Sequence, residues 1–317
     1  MTSKRKEDLK GSRQEIKRKI RTWFKDNKPQ EIQPKFYGQG SFEMNTTVNP
    51  IPEHDDNGNR LLKYDLDYGV YFLEEGEDNR KGIATWHDWI YESVDNHTNQ
   101  DTIRKTTCIR VVFADGHHID LPIYYKNSKI PELAHRSKGW IESDPKQFTE
   151  WFLKEADGKA QLVRIVRYLK AWKNYQENKY SNLKLASGFE LTILAVEYYV
   201  PCDNDDEAFR YCIDAMSSSL HLPGGFRCIR PTTPVGENLF EEYPETRKNN
   251  FLDCLSALSE ACQKADEEPN FKKASEHIRE QFGDRFPWGE DKDERTKSEE
   301  LSGMIAGSGI VHKPYHG

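Results

Sequence analysis

The stretch FYGQGSFEMNTTVNP (36–50), then the polar turn EHDDNGN (53–59) and LLKYDLDYGVYF (61–72), decides how the rest of the chain is read. It opens with a Gly38-Gln39-Gly40-Ser41 turn between apolar residues and closes with Asp65 and Asp67 in a strand-like run. Strand side chains alternate faces, so both carboxylates point one way, about 7 Å apart, while Leu66 and Tyr68 point the other. Two such carboxylates repel each other without a cation, and Mg²⁺ suits oxygen ligands. The Gly-Ser turn can offer backbone N–H groups and a hydroxyl to a phosphate. Together they predict a site for a metal-bound nucleoside triphosphate.

The run TTCIRVVFADGHHIDLPIYY (106–125) comes next in importance. Cys108 to Phe113 is a β-branched strand, Ala114-Asp115-Gly116-His117 carries the Asp-Gly hairpin signal, and the chain returns antiparallel from His118. Asp120, among Ile119, Leu121, Pro122 and Ile123, is costly to bury without a partner. By itself it reads equally as a structural hydrogen-bond acceptor. Beside Asp65 and Asp67, a third metal carboxylate from a neighbouring strand is the better account.

On either side of these strands the pattern is helical. Ile16, Ile20, Trp23 and Phe24 make one apolar stripe in residues 3 to 28, ended by Pro29, and this helix packs outside the catalytic module. TWHDWIYESVDNHT (85–98) reads as a helix burying Trp86, Trp89 and Ile90, with His87 as a packing histidine or a substrate contact. EEGEDNRKG (74–82) reads as a solvated turn and KNSKIPELAHRSKGWIESDPKQFTEW (126–151) as loop, with a domain boundary within 135 to 150. Residues 160 to 178 place Leu162, Ile165, Val166, Leu169 and Trp172 on one helix face, flanked by Arg164, Arg167, Lys170 and Lys173. Lys170 or Lys173 could reach a triphosphate as a point charge; solvation is the plainer reading. Ser187 precedes an apolar helix and reads equally as its N-cap or as a phosphate contact. Further helices are expected over 203 to 221, 243 to 264 and 271 to 282, and a mobile tail beyond.

A net charge of −7 argues against a general nucleic-acid binder, although 46 Lys and Arg residues leave room for a local basic groove. The six cysteines form no CxxC pair and no zinc spacing, so free thiols in a reducing cytoplasm are expected. The N-terminus lacks an apolar leader and no apolar run reaches about 18 residues, which predicts a soluble cytoplasmic protein that no membrane holds.

A Gly-Ser turn, Asp-x-Asp on the next strand and a third Asp on a later strand are the pattern of the polymerase-β-like nucleotidyltransferase palm. GQGSFEMNTTV, YDLDYGVYF and HIDLPIYY closely resemble the cGAS/DncV-like nucleotidyltransferases, the CD-NTases of bacterial anti-phage (CBASS) systems. LVRIVRYLKAWK, LASGFELTILAVEYYV and PVGENLF extend the resemblance over roughly residues 30 to 260. It implies an α+β fold: a mixed-sheet palm with flanking helices (1–140), a helical domain closing a central cleft (141–295) and a flexible tail (296–317). It also implies a cyclic di- or oligonucleotide synthase using ATP, GTP or other nucleoside triphosphates, without an obligate nucleic-acid template. Asp65, Asp67 and Asp120 would hold two Mg²⁺ ions, with Mn²⁺ able to substitute. Gln39, Gly40 and Ser41 would grip the triphosphate, with Lys170, Lys173 and Ser187 closing from the helical side. Tyr37, Thr46, Glu237 and Asn238 are the candidates for base or ribose contact.

In that chemistry a ribose hydroxyl attacks the α-phosphorus in line, and positioning and charge neutralisation do most of the work. Asp120 is the candidate to help remove the hydroxyl proton. Rival readings of the same palm are an RNA- or tRNA-tailing nucleotidyltransferase, a nucleotidylating toxin, and a binding module without chemistry. The family is often encoded beside ubiquitin-transfer-like proteins that conjugate the cyclase through its C-terminus. Gly317, on a glycine-bearing tail, suits such a partner or is an ordinary disordered terminus.

Overall fold

The computed structural model describes residues 3–54, 58, 60–74, 80–127 and 130–293. Most of the 74–82 turn, the tail and Gly317 therefore lie outside the described residues. The chain begins with α1 (Ser3–Asn27), then β1 (Lys35–Gln39), the short α2 (Gly40–Glu43), β2 (Glu53–His54) and β3 (Arg60–Leu61). It continues through β4 (Asp65–Glu74), α3 (Ile83–Val94), β5 (Thr102–Arg104), β6 (Cys108–Val112) and β7 (His118–Asn127). A hairpin of β8 (Glu132–His135) and β9 (Gly139–Glu142) follows. Then come α4 (Pro145–Glu155), α5 (Ala160–Lys179), α6 (Gly188–Tyr198), α7 (Asp205–His221), α8 (Glu245–Glu267) and α9 (Phe271–Phe282).

The main sheet runs in the order β1-β4-β7-β6-β5, with β8 and β9 added alongside β7. β4 and β7 are parallel, while β1 and β6 flank them antiparallel, so the sheet is mixed. Leu66, Tyr68, Val70 and Phe72 alternate onto one face with Ile119, Leu121 and Ile123. Leu9, Ile16, Ile20 and Phe24 of α1 and Trp86, Ile90 and Val94 of α3 cover that face. Phe72 stacks on Trp86 with ring centroids 3.9 Å apart, and burying each such ring contributes about 2–3 kcal/mol. The other face, carrying Asp65, Asp67 and Asp120, is left for the cleft.

A second core, formed by α4 to α9, gathers Phe152, Leu162, Ile165, Leu169, Trp172, Leu194, Ile213 and Phe251. Met44 is buried in it, although it sits directly after α2. The glycine–serine turn is thus clamped between the two lobes. The helical lobe also tacks down the chain that follows: Arg167 Nε donates to the Asn45 carbonyl at 2.7 Å, and Arg285 Nη2 to the Asn49 carbonyl at 2.7 Å.

One expectation fails. Residues 126–151 are not loop: β8 pairs with β7 through Tyr124↔Leu133, β9 extends the hairpin, and α4 starts at Pro145. Each strand has only four residues, too few for alternation to register, and its pairing comes from β7, which no local pattern reports. The start of α4 was legible, since Asp144 caps Gln147 N–H and Pro145 holds the first helical position. His87 proves to be a packing residue, buried with Nε2 2.9 Å from the Ala134 carbonyl oxygen. All six cysteines are free.

Candidate active site

β1 delivers Gln39 directly opposite Asp67 in the antiparallel register. Gly40 then takes φ +72°, the left-handed region where glycine carries no Cβ penalty, and turns the chain into α2. A Cβ at Gly40 would collide with Asp67 Oδ2, so the turn's backbone lies against the carboxylate. Ser41 follows, its hydroxyl 3.2 Å from Thr47 Oγ1. Gly40, Ser41, Asp65, Asp67, Lys170 and Lys173 all line one cleft of about 760 Å³ between the lobes.

Across the parallel register Asp67 is level with Asp120. Asp120 does not open into the cleft as a free carboxylate. Arg110, its antiparallel partner on β6, donates Nε to Oδ1 and Nη2 to Oδ2, both at 2.7 Å. This bidentate pair makes Asp120 a structural acceptor in the present conformation as well as a neighbour of Asp67. Both of its oxygens are engaged, so the expected base role requires Arg110 to release one of them.

The charge balance of the site is acidic. Burial pushes the Asp67 carboxyl up to about 8, and repulsion from Asp65 and then Asp120 adds to it, against the opposing pull of Arg110 and Lys170. Such a carboxyl is short of positive charge. Among the described residues no three acidic, His or Cys groups form a preset ion cage. Asp65 and Asp67 nonetheless suit a hard divalent ion, sharing a face and offering oxygen, while Asp120, level with Asp67, is engaged by Arg110 and would join them only on its release. Lys170 supplies part of the missing charge. Its Nζ donates to Thr46 Oγ1 at 2.8 Å, and burial lowers it to about 8, with Asp65 and Asp67 holding the proton on. Gly188 makes room for it, since a Cβ there would lie 3.3 Å from Lys170 Cε.

Of the remaining candidates, Gln39 and Lys173 also border this cleft, and the others do not. The Gln39 side chain is a buried support: Nε2 donates to Tyr124 Oη at 3.2 Å, and Oε1 accepts from Tyr71 at 3.5 Å. Lys173 borders the cleft while paired with Glu177. The Ser187 hydroxyl caps α6 by accepting Glu190 N–H at 3.2 Å, with Glu190 answering the Ser187 N–H, and the cleft wall there is Gly188 and Phe189. Tyr37 packs edge-on against Tyr71 beneath Lys146 and does not line the cleft. Thr46 is fully buried and positions Lys170. Glu237 pairs with Arg230 Nε at 2.7 Å. Asn238 Oδ1 accepts the N–H groups of Cys228 and Phe240. These two shape the 228–240 loop, and it is Arg230, Thr232 and Thr233 of that loop that face the cleft.

Sequence reading missed those three, Arg110 and Asp144. Arg110 was within reach: counting outward from the Asp115-Gly116 turn pairs Val112 with His118 and hence Arg110 with Asp120. Nothing local marks Arg230 or Thr232.

A mixed palm with paired carboxylates beside a glycine–serine turn, closed by a helical lobe, is the architecture of the nucleotidyltransferase fold. Residues 34–124 match the family model for the nucleotidyltransferase domain of DncV-like cyclic GMP-AMP synthases. The chain is 27% identical to a cyclic GMP-AMP synthase of Escherichia albertii over 262 residues, 80% of this chain and 56% of that protein. To a c-di-GMP synthase of Roseivirga ehrenbergii it is 22% identical over 261 residues, 72% of this chain and 66% of that one. The chain therefore spans between about half and two thirds of the curated relatives it matches. Vibrio cholerae DncV with the linear intermediate 5′ pppA(3′,5′)pG superposes with a TM-score of 0.73 at 19% identity, covering 90% of this chain and 92% of that one. The apo form gives 0.73 at 20%, covering 90% and 91%. Among the described residues no helix is long and apolar enough to cross a membrane.

Proposed function

We propose that this protein is a cyclic dinucleotide synthase that joins nucleoside triphosphates through their ribose hydroxyls and releases pyrophosphate. The observation that carries the reading is the meeting of Asp65, Asp67, Ser41 and Lys170 in one interlobe cleft. The relatives' names, cyclic GMP-AMP synthase and c-di-GMP synthase, support it.

In this reading the turn at Gly40 and Ser41 presents backbone N–H groups and a hydroxyl to the triphosphate. Lys170, held by Thr46, brings a cation to the same phosphates from the helical lobe, and Lys173 adds a second once it parts from Glu177. Asp65 and Asp67, with Asp120 completing the set, would hold Mg²⁺. Two such ions supply a Lewis acid for the α-phosphate and a lowered pKa for the attacking hydroxyl. Both lobes grip the turn through Met44 and Arg167, which holds the phosphate-facing backbone in place; positioning accounts for much of the rate in such transfers. Ring closure needs a second attack, so the linear intermediate must turn over inside the same cleft. The product would serve as a second messenger in anti-phage defence.

The test is incubation with all four nucleoside triphosphates and Mg²⁺, without RNA, followed by phosphatase and mass spectrometry. A phosphatase-resistant cyclic product is expected, lost in a folded Asp67→Ala variant. Product that appears only with added RNA, label that ends on a macromolecule, or wild-type yield from Asp67→Ala refutes the assignment.

A further inference from the structure

The four residues after α2 each hand a group to a different part of the molecule. Met44 is buried in the helical core. The Asn45 carbonyl accepts from Arg167 Nε at 2.7 Å and from Nη2 of the same fork. Thr46 Oγ1 takes Lys170 Nζ at 2.8 Å, and the Thr46 N–H donates to the Ser41 carbonyl at 2.8 Å. Thr47 Oγ1 lies 3.2 Å from the Ser41 hydroxyl. Ser41 and Lys170 are therefore both held by this short segment, and Asn45 sits within it.

Asn45 is left-handed, with φ +57°; among the described residues Asn96 is the only other non-glycine in that region. Asparagine visits it at modest cost, but glycine does so more freely, so the backbone alone does not account for the residue. The side chain does: Oδ1 accepts Lys6 Nζ of α1 at 3.0 Å. One residue thus ties α1, on the palm, to α5, on the helical lobe. The joint repeats four positions on. The Asn49 carbonyl accepts Arg285 Nη2 at 2.7 Å from the helical lobe, and Arg5 Nη1 of α1 reaches Asn49 Oδ1 at 3.5 Å. Lys6 and Arg167 spend these bonds on neutral amide oxygens, and with Lys10 they line a hollow of about 300 Å³ beside Asn45. The carboxylate of that hollow, Glu43, is already paired with Arg13.

We propose that Asn45 is a positioning residue for the transfer: its side chain, held by Lys6, fixes the segment that aims Ser41 and Lys170, a role that rests on the nucleotidyltransferase reading for what those two groups bind. Asn45 does not itself line the cleft. Releasing it leaves both cores intact and lets the turn and Lys170 drift from their common target, and small misplacements of such groups are costly in rate.

The experiment compares Lys6→Met, Asn45→Gly, the double variant and Asn45→Asp in the full chain. Amide hydrogen exchange across residues 41–47, without Mg²⁺ or nucleotide, reads the joint; kcat/KM for pyrophosphate release reads its consequence. The Asn45 and Thr46 N–H groups bond to the Phe42 and Ser41 carbonyls, and their exchange should quicken about three- to tenfold in Lys6→Met and in Asn45→Gly. kcat/KM should fall by about the same factor, with the melting temperature within about 2 °C of wild type. The double variant should lose no more than the worse single one, because both changes break one bond. Asn45→Asp keeps the left-handed turn and an acceptor for Lys6, and should hold both readouts within about twofold of wild type. Unchanged exchange in Lys6→Met, or quickened exchange with unchanged kcat/KM, overturns the positioning role. So do losses that multiply in the double variant, or an Asn45→Asp that fails as Asn45→Gly does. A wild type that releases no pyrophosphate overturns the nucleotidyltransferase reading instead, and the exchange rates still decide whether Lys6 and Asn45 hold the turn.

Discussion

Replacing Gly40 by alanine perturbs the site by the smallest chemical change available. Two effects follow from the structure. Gly40 has φ +72°, where an L side chain costs about 1–2 kcal/mol, so the melting temperature should fall by roughly 2–5 °C. The new methyl would also overlap Asp67 Oδ2 far inside the 3.4 Å at which ordinary contact begins. Relieving that overlap moves either the carboxylate or the phosphate-facing turn by about 1 Å, a misplacement that can lower turnover about 100-fold. Gly38→Ala is the comparison: its methyl overlaps Glu43 from Cγ to Oε1, a side chain that pairs with Arg13 and does not line the cleft. Pyrophosphate release measured beside thermal melts separates the two effects, with Gly38→Ala staying within about threefold of wild type in rate. A Gly40→Ala enzyme that melts early yet turns over like wild type would refute the claim that the turn and Asp67 act as one unit.

Ser187→Ala should cost about 1 kcal/mol in urea denaturation, the loss of an N-cap, with nucleotide affinity unchanged; weakened triphosphate binding would instead restore the phosphate-contact reading. In EDTA, stability should fall as pH rises. Asp67 holds its proton to about 8 when folded but releases it near 3.8 when unfolded, so its contribution is intact below about pH 4 and lost through pH 8. The loss is on the order of 5 kcal/mol, Asp67→Asn should flatten it, and Mg²⁺ should restore stability at high pH; urea midpoints across the range decide. Lys170→Met should weaken nucleotide binding roughly 10- to 100-fold by calorimetry without lowering the melting temperature, because methionine fills the space and removes a buried ammonium. A destabilised variant with normal affinity would make Lys170 structural.

Much of this was legible along the chain because it is local. The parity of β4 put Asp65 and Asp67 on one face, the Asp-Gly turn fixed how β7 returns, and the stripes of α1 and α5 named their own buried residues. What the order of residues could not give is what packs against what. Tyr37, Thr46, Glu237 and Asn238 have the right chemistry for a base pocket, yet packing turns one toward Tyr71, buries another under Lys170, and commits the last two to shaping a loop. Ser187 had two competing uses, and the structure shows it capping α6 with Glu190 at the third helical position.

The sequence alone determined the carboxylate pair, the glycine turn that approaches it, and the two lobes, since strand parity, φ freedom and helix periodicity act within a few residues. Only the tertiary structure decided that Lys170 loses its water beside Asp65 and Asp67. It also decided that a short hairpin joins the sheet and that Asp144 and Arg230 share a wall. Those facts depend on burial and on distances between residues up to about 105 positions apart, which are set when the lobes close on the turn and not before.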